Sequence, residues 1–360
     1  MLAFVQGGLV PPRIVRRLIF APLAIVITLA WIVLLPLLLL LAIVVAPSRA
    51  GRRRTLRLVF FSVAWLVMES ATLFASLGLW IASGFGGRLR SAANQERHYR
   101  LVGWFMGTLF PVITRLFNVT LEVQEPEFTP EEAAARLTRP VIVLSRHAGP
   151  GDSFLIVNQM LSQYGRRPSI VMKGALQFDP ALDVVINRLP HAFVWPSKGP
   201  GSGVTEEITR LASRLGDADA LLIFPEGGNF THGRRERAIE RLESSGQREA
   251  AERARGMSNL LAPRTGGVLA AVSAAPTADV IFVAHTGLDD LITVRDIWHS
   301  IPMEQTVKSR WWRVPAAQIP RDRDEQVTWL YGWWEQIDRW IAENRPVRTP
   351  TGASIVDAPD

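Results

Sequence analysis

The chain has 360 residues, 48% of them apolar, with 40 Lys and Arg against 33 Asp and Glu, a formal charge of +7, and no Cys. The apolar fraction excludes disorder over most of the chain, the lack of Cys excludes a disulfide scaffold, and a mean hydropathy of +0.15 points toward membrane. The charge is lopsided. Residues 1–100 hold 12 Arg and two acids, Glu69 and Glu96, whereas the other 260 residues hold 28 bases and 31 acids, a net charge of −3. A nucleic-acid binder spreads basic residues over its folded domain. Here they flank apolar segments, as residues facing anionic lipid headgroups do, so nucleic acid is not an expected partner.

Leu18 to Ala46 contains no charged side chain, and as a helix rising about 1.5 Å per residue it is long enough to cross about 30 Å of hydrocarbon. Pro22 and Pro36 are candidate kinks. A second apolar run, 58–87, carries the single acid Glu69, and an Arg-rich turn, Pro47 to Arg54, separates the two. A cleavable signal peptide fits poorly, because the run is too long and lacks a small-residue cleavage site. The pair reads either as a spanning hairpin or as a re-entrant pair in one leaflet. Arg sits at both ends and in the turn, so charge gives no orientation. Glu69 reads either as a group with a buried partner or as a tolerated acid at a helix contact. Residues 101–118 repeat Trp104, Phe105, Leu109, Val112, Ile113 and Leu116 at helical spacing, which predicts an interfacial or core helix rather than a third span.

From about 119 short β-rich runs alternate with helical patterns. Strands are expected at Val119–Gln124, Val141–Ser145, Ile170–Met172, Ala192–Trp195, Ala220–Phe224 and Val280–Ala284, and helices at 153–164, 204–215 and 234–262. Apolar strands alternating with helices predict an α/β fold, a mostly parallel sheet covered by helices. The Gly199–Gly203 loop lacks a Gly-Lys-Ser/Thr ending and is not a P-loop. The Arg/Glu-rich stretch Arg234 to Arg255 reads as a solvated helix whose charges pair at helical spacing. Residues 322–343 place Trp329, Trp333, Trp334, Ile337, Trp340 and Ile341 on one face, either for packing on the domain or for a membrane interface. Three regions follow: an anchor over 1–100, a folded domain over 101–343, and a disordered tail over 344–360.

Two constellations carry chemistry. Ser145-Arg146-His147-Ala148-Gly149-Pro150-Gly151-Asp152 follows an apolar strand. A His and an Asp five apart on a Gly/Pro turn can fold back on each other, the carboxylate holding the imidazole's tautomer and its cation; a structural His in a turn has the same pattern. With no Cys and no Gly-x-Ser-x-Gly elbow, such a His activates an external hydroxyl rather than a protein nucleophile. Leu222-Ile223-Phe224-Pro225-Glu226-Gly227-Gly228 also ends a strand, where open α/β sheets bind ligands. No His/Cys/Asp cluster has metal-ligand spacing, so no metal is expected.

The pairing of His147-x4-Asp152 with Phe224-Pro225-Glu226-Gly227 resembles the glycerolipid acyltransferases, the 1-acylglycerol-3-phosphate acyltransferase superfamily. Leu261-Ala262-Pro263-Arg264-Thr265-Gly266-Gly267 and the tail from Arg313 to Trp334 resemble its lysocardiolipin acyltransferase branch. The resemblance covers roughly 100–343. It implies that His147 and Asp152 are catalytic and that Glu226 and Gly227 help bind the acyl acceptor. The sequence departs from many relatives in having Gly228-Asn229 after the Glu motif and Pro196 where they have Arg. That leaves Lys173, Lys198 and Arg264 as the candidate phosphate contacts.

The expected function is a membrane-bound O-acyltransferase. It would move a fatty acyl group from acyl-CoA, or acyl carrier protein, to the free hydroxyl of a lysophospholipid such as 1-acylglycerol 3-phosphate. His147 would act as general base, Asp152 would orient it, and backbone N–H groups around Gly149–Gly151 would face the developing oxyanion. The expected partners are the lipid bilayer, a lysophospholipid acceptor and an acyl-CoA donor, with no cofactor besides the donor, at the cytoplasmic face of the inner membrane. Acyl transfer to a glycolipid or sugar hydroxyl, or an inactive lipid-binding scaffold of the same fold, are the alternatives.

Overall fold

The computed structural model describes residues 10–45, 49–125, 129, 137–149, 151–194, 203–289, 291 and 294–346. Helical turns over Arg13–Phe20 lead into helix α1 (Ala21–Val45), which packs against α2 (Arg49–Ala82). Two stretches, Arg13–Val44 and Arg53–Ala82, are long and apolar enough to cross a membrane. Helix α3 (Ala92–Phe117) packs on α2 and crosses position 100 without a break; it ends where Asn118 takes the left-handed conformation, at φ 55°.

Among the described residues the sheet has seven strands: β1 (Val119–Gln124), β2 (Val141–Ser145), β3 (Arg167–Lys173), β4 (Ala192–Val194), β5 (Asp219–Ile223), β6 (Asp279–Thr286) and β7 (Gln305–Val314), in the order β1-β7-β6-β2-β5-β3-β4. Every pair is parallel except β6–β7. The fold class is as the alternation of strands and helices predicts. Strand β7 was not anticipated, because Lys308, Arg310 and Arg313 interrupt its apolar pattern. Val307, Ser309 and Trp311 alternate onto one covered face, and at the end of the strand Val314 and Trp312 pack on the other, Trp312 against Trp333 and Trp340.

Between the strands lie α4 (Asp152–Asn158), α5 (Pro180–Ile186), α6 (Val204–Ala212), α7 (His232–Ser244), α8 (Arg248–Gly256), α9 (Thr265–Ala274) and α10 (Val294–His299), with α11 (Arg323–Asn344) closing the fold. The expected single helix over 234–262 is two, α7 and α8. Gly246, at φ 78°, turns the chain between them. Its charges pair across elements rather than along one helix: Arg255 meets Glu243, and Arg253 reaches Glu335 of α11 at 2.6 Å.

Strand alternation divides the core. Ile142, Leu144, Leu221, Ile223, Val280 and Phe282 face α6, α7, α8, α9 and α11. Val141, Val143, Ala220, Leu222 and Val283 face α4 and Met106 of α3. Trp334 and Trp340 of α11 are buried on the first face, so the aromatic face of this helix packs on the domain. The apolar N-terminal helices sit on the second side. Ala21, Ala24, Ile25 and Leu73 pack on Ala181 and Val184 of α5.

Polar contacts lock this junction. The Ala181 N–H donates to Glu69 at 3.0 Å, so Glu69 has a partner at the start of α5. Arg16, expected among flanking groups that face headgroups, is instead buried and pairs with Asp183 at 2.6 Å. Lys198, the Gly199–Gly203 loop apart from Gly203, and the tail beyond 346 lie outside the described residues.

Candidate functional site

The site forms at the carboxyl ends of β2, β5 and β6, the three central neighbours of the sheet. Chain leaving β2 passes through Arg146, His147, Ala148 and Gly149, then reaches Asp152 at the start of α4 after Gly151, whose φ of 101° suits only glycine. Asp152 is buried, and its Oδ2 accepts three donors: the Ala148 N–H at 2.6 Å, the Gly149 N–H at 2.7 Å and His147 Nδ1 at 3.3 Å. One carboxylate oxygen therefore holds the turn and the imidazole together. It fixes the proton on Nδ1 and leaves Nε2 to accept one. Burial alone would raise the Asp152 carboxyl, but His285, His147, the Gly149 N–H and Arg146 outweigh it and hold it below the usual carboxylate range.

Glu226 follows β5 on a tight turn and is also buried. Its Oε1 accepts the His147 backbone N–H at 2.7 Å and its Oε2 accepts the Leu261 N–H at 2.9 Å. The same loop donates the Phe230 N–H to the His147 carbonyl at 2.8 Å, and the Phe224 ring lies 4.6 Å from the imidazole, centroid to centroid. Both main-chain polar groups of His147 are thus held by the 224–230 segment. The resemblance assigned Glu226 to the acceptor; the geometry has both its oxygens clamping backbone. Burial pushes its carboxyl up to about 7, against the opposing pull of Arg146 and the two N–H donors.

Gly227 has φ 67°, and a Cβ there would come within 2.7 Å of the Arg264 guanidinium carbon. Only glycine lets Arg264 lie across this loop. The Arg264 N–H also donates to the Pro225 carbonyl at 2.9 Å, and Trp334 of α11 donates to the Leu261 carbonyl at 3.1 Å. Three loops, 146–152, 224–230 and 257–265, are therefore tied into one unit. Lys173 stands apart from it: it is exposed at the end of β3, two strands from β2, and does not line the cleft that Arg264 and Gly227 share. The Ala148 and Gly149 N–H groups, expected near an oxyanion, are engaged by Asp152; the Gly151 N–H has no partner among the described residues.

Sequence reasoning missed the support beneath the pair. Arg146 is almost completely buried, pairs with Asp289 and donates to the His285 carbonyl at 2.7 Å and the Asn259 carbonyl at 3.3 Å. Asp289 is held well below the carboxylate range: burial would raise it, and Arg146 more than offsets that. His285 is the penultimate residue of β6, with Nδ1 3.9 Å from Asp152 Oδ1, and burial pushes its imidazole down. A His closing an apolar strand, as in Val280 to His285, was the available signal. Among the described residues no three His, Asp or Glu side chains converge as metal ligands.

A family model described as Acyltransferase matches residues 120–285. The matched segment runs from β1 to His285 and contains His147, Asp152, Lys173, Glu226, Gly227 and Arg264. The match supports the glycerolipid acyltransferase superfamily and, with it, acyl transfer as the general chemistry. No curated protein and no solved structure gives a significant match to the chain.

Proposed function

We propose that this protein is a membrane-bound O-acyltransferase that moves a fatty acyl group from acyl-CoA to the free hydroxyl of a lysophospholipid. The observation that carries the reading is the His147–Asp152 pair, held by Glu226 inside the segment that matches the acyltransferase family. In this scheme Nε2 of His147 takes the proton of the acceptor hydroxyl as its oxygen attacks the thioester carbonyl. Asp152 keeps the proton on Nδ1 and stabilises the imidazolium. The carbonyl oxygen becomes an oxyanion, for which the Gly151 N–H is the available donor of the turn. Collapse expels the CoA thiolate, which takes the proton from His147, leaving the acyl ester and free CoA.

Glu226 acts as a positioning residue for His147. The two apolar helices hold the domain at the bilayer, in keeping with their length and exposed apolar surface. Lys173 ends β3 and leads into Gly174–Phe178, where Gln177 accepts a hydrogen bond from Arg16 of the apolar segment. It therefore stands on the bilayer side and is our choice for the acceptor's phosphate. The Pro263-Arg264-Thr265 segment favours the lysocardiolipin-like branch within the superfamily.

The test is incubation of the full chain in lipid nanodiscs with labelled oleoyl-CoA and a panel of lysophospholipids and neutral glycolipids. Label in one diacyl phospholipid supports the reading. Label only in a glycolipid replaces the acceptor, and label in no product removes the activity.

A further inference from the structure

Beside the Glu226–Gly227 loop lies an open cleft of about 830 Å³ between α7, the 261–265 segment and Tyr331 of α11. Arg234, Arg237 and Arg241 line it from α7, at spacings of three and four that place them on one helical face. Arg264 lines it from the opposite wall. All four side chains are exposed, and among the described residues none forms an ion pair. Arg234 donates to the Asn229 carbonyl and Arg241 to the Arg237 carbonyl, contacts that hold the side chains without neutralising them. Glu240 is the one acid on the rim besides the buried Glu226. Four guanidinium groups around one cavity repel each other, and Arg264 is held below its ordinary basicity by partial burial and by Arg241. Such a cluster is stabilised by an anion of matching charge, and guanidinium pairs with phosphate oxygens in two-pronged fashion.

The position of the cleft selects the anion. It opens on the sheet face covered by α7, α8, α9 and α11, whereas the apolar N-terminal helices pack on the other face through α3 and α5. A lipid headgroup arrives from the bilayer side; a water-soluble ligand reaches this cleft from solvent. Three phosphates on one soluble ligand match four guanidiniums better than a single lipid phosphate does. Resting on the function proposed above, we propose that Arg234, Arg237, Arg241 and Arg264 form the subsite for the 3′-phosphate and 5′-diphosphate of the CoA donor. The Glu226–Gly227 floor then hands the pantetheine arm toward His147.

The test uses the full chain in nanodiscs and titrates it with CoA and with adenosine 3′,5′-bisphosphate, comparing wild type with Arg237→Ala/Arg241→Ala. Both substitutions are at exposed positions, and thermal melting checks that the variant is folded. The expected result is at least tenfold weaker CoA binding by the variant, competition by the bisphosphate in wild type, and a rise in the ratio of KM for acyl-CoA to KM for acyl-pantetheine. Arg237→Lys/Arg241→Lys should recover part of the affinity. Equal CoA affinity in wild type and the Ala variant overturns the subsite, as does a rise in acceptor KM with donor KM unchanged. CoA binding lost in the Ala variant while wild type acylates no acceptor would leave the subsite standing and remove the acyltransferase reading instead.

Discussion

Replacing Asp152 by Asn and by Ala separates its two duties. Its Oδ2 receives three donors, two of them backbone N–H groups of the buried residues Ala148 and Gly149. Ala removes all three acceptor contacts. A buried donor left without a partner costs about 1–3 kcal/mol, so the two backbone groups alone make the Ala variant roughly 2–6 kcal/mol less stable, a large part of a typical total of about 5–15 kcal/mol. In Asn the three donors force the amide oxygen into the Oδ2 position, with the NH₂ at the Oδ1 position facing His285. The turn survives and the stability loss should stay within about 1 kcal/mol. The negative charge is gone, however, and an imidazolium formed at His147 loses its counter-ion. Turnover should then fall by about 10²- to 10⁴-fold. Thermal melting in detergent and initial-rate acyl transfer on the same preparations read both quantities. An Asn variant keeping more than a tenth of wild-type turnover would refute the counter-ion role. An Ala variant as stable as wild type would refute the account of the turn.

Gly227→Ala should drive the Arg264 guanidinium away from the loop and strain the backbone at φ 67°, lowering stability by about 1–3 kcal/mol; chemical denaturation checks it, and an unchanged midpoint contradicts the packing. Asp183→Asn leaves Arg16 buried beside a neutral amide, so the apolar helices should loosen from α5 at a cost of about 3–5 kcal/mol, read as faster amide exchange over 180–186. Because burial raises the Glu226 carboxyl to about 7, its contribution to stability is fully present below about 4.5 and is lost as pH rises through 7. Wild type should therefore lose stability relative to Glu226→Gln between pH 5 and 8, by on the order of 3 kcal/mol; parallel stability curves for the two proteins would contradict this.

The parts of the site legible in the sequence are those whose partners are close along the chain. His147 and Asp152 are five residues apart, and a Gly/Pro turn brings them together wherever β2 is placed. Arg146 is different. Its partners, His285 and Asp289, lie 139 and 143 residues away, and only the adjacency of β2 and β6 makes them neighbours. Glu226 was found as a residue but not in its contacts, because a spacing says nothing about which backbone N–H groups a carboxylate will face. In the fold, continuous apolar strands such as Val141–Ser145 announced themselves, since both faces of that strand are buried. Strand β7 did not, because its solvent-facing positions hold Lys308 and Arg310. Arg234, Arg237 and Arg241 read as one half of a self-paired helix, but Glu243 of α7 pairs with Arg255 of α8 instead.

The central claim is that His147 is the base for acyl transfer to a lipid hydroxyl. The most direct measurement compares wild type and His147→Ala, each as full chain in the same nanodiscs, for transfer of labelled oleate from oleoyl-CoA to a lysophospholipid, with thermal melting on both. The account predicts labelled diacyl phospholipid from wild type, at least a hundredfold less from the variant, and closely similar melting. A folded His147→Ala protein that retains more than a tenth of wild-type turnover would contradict it.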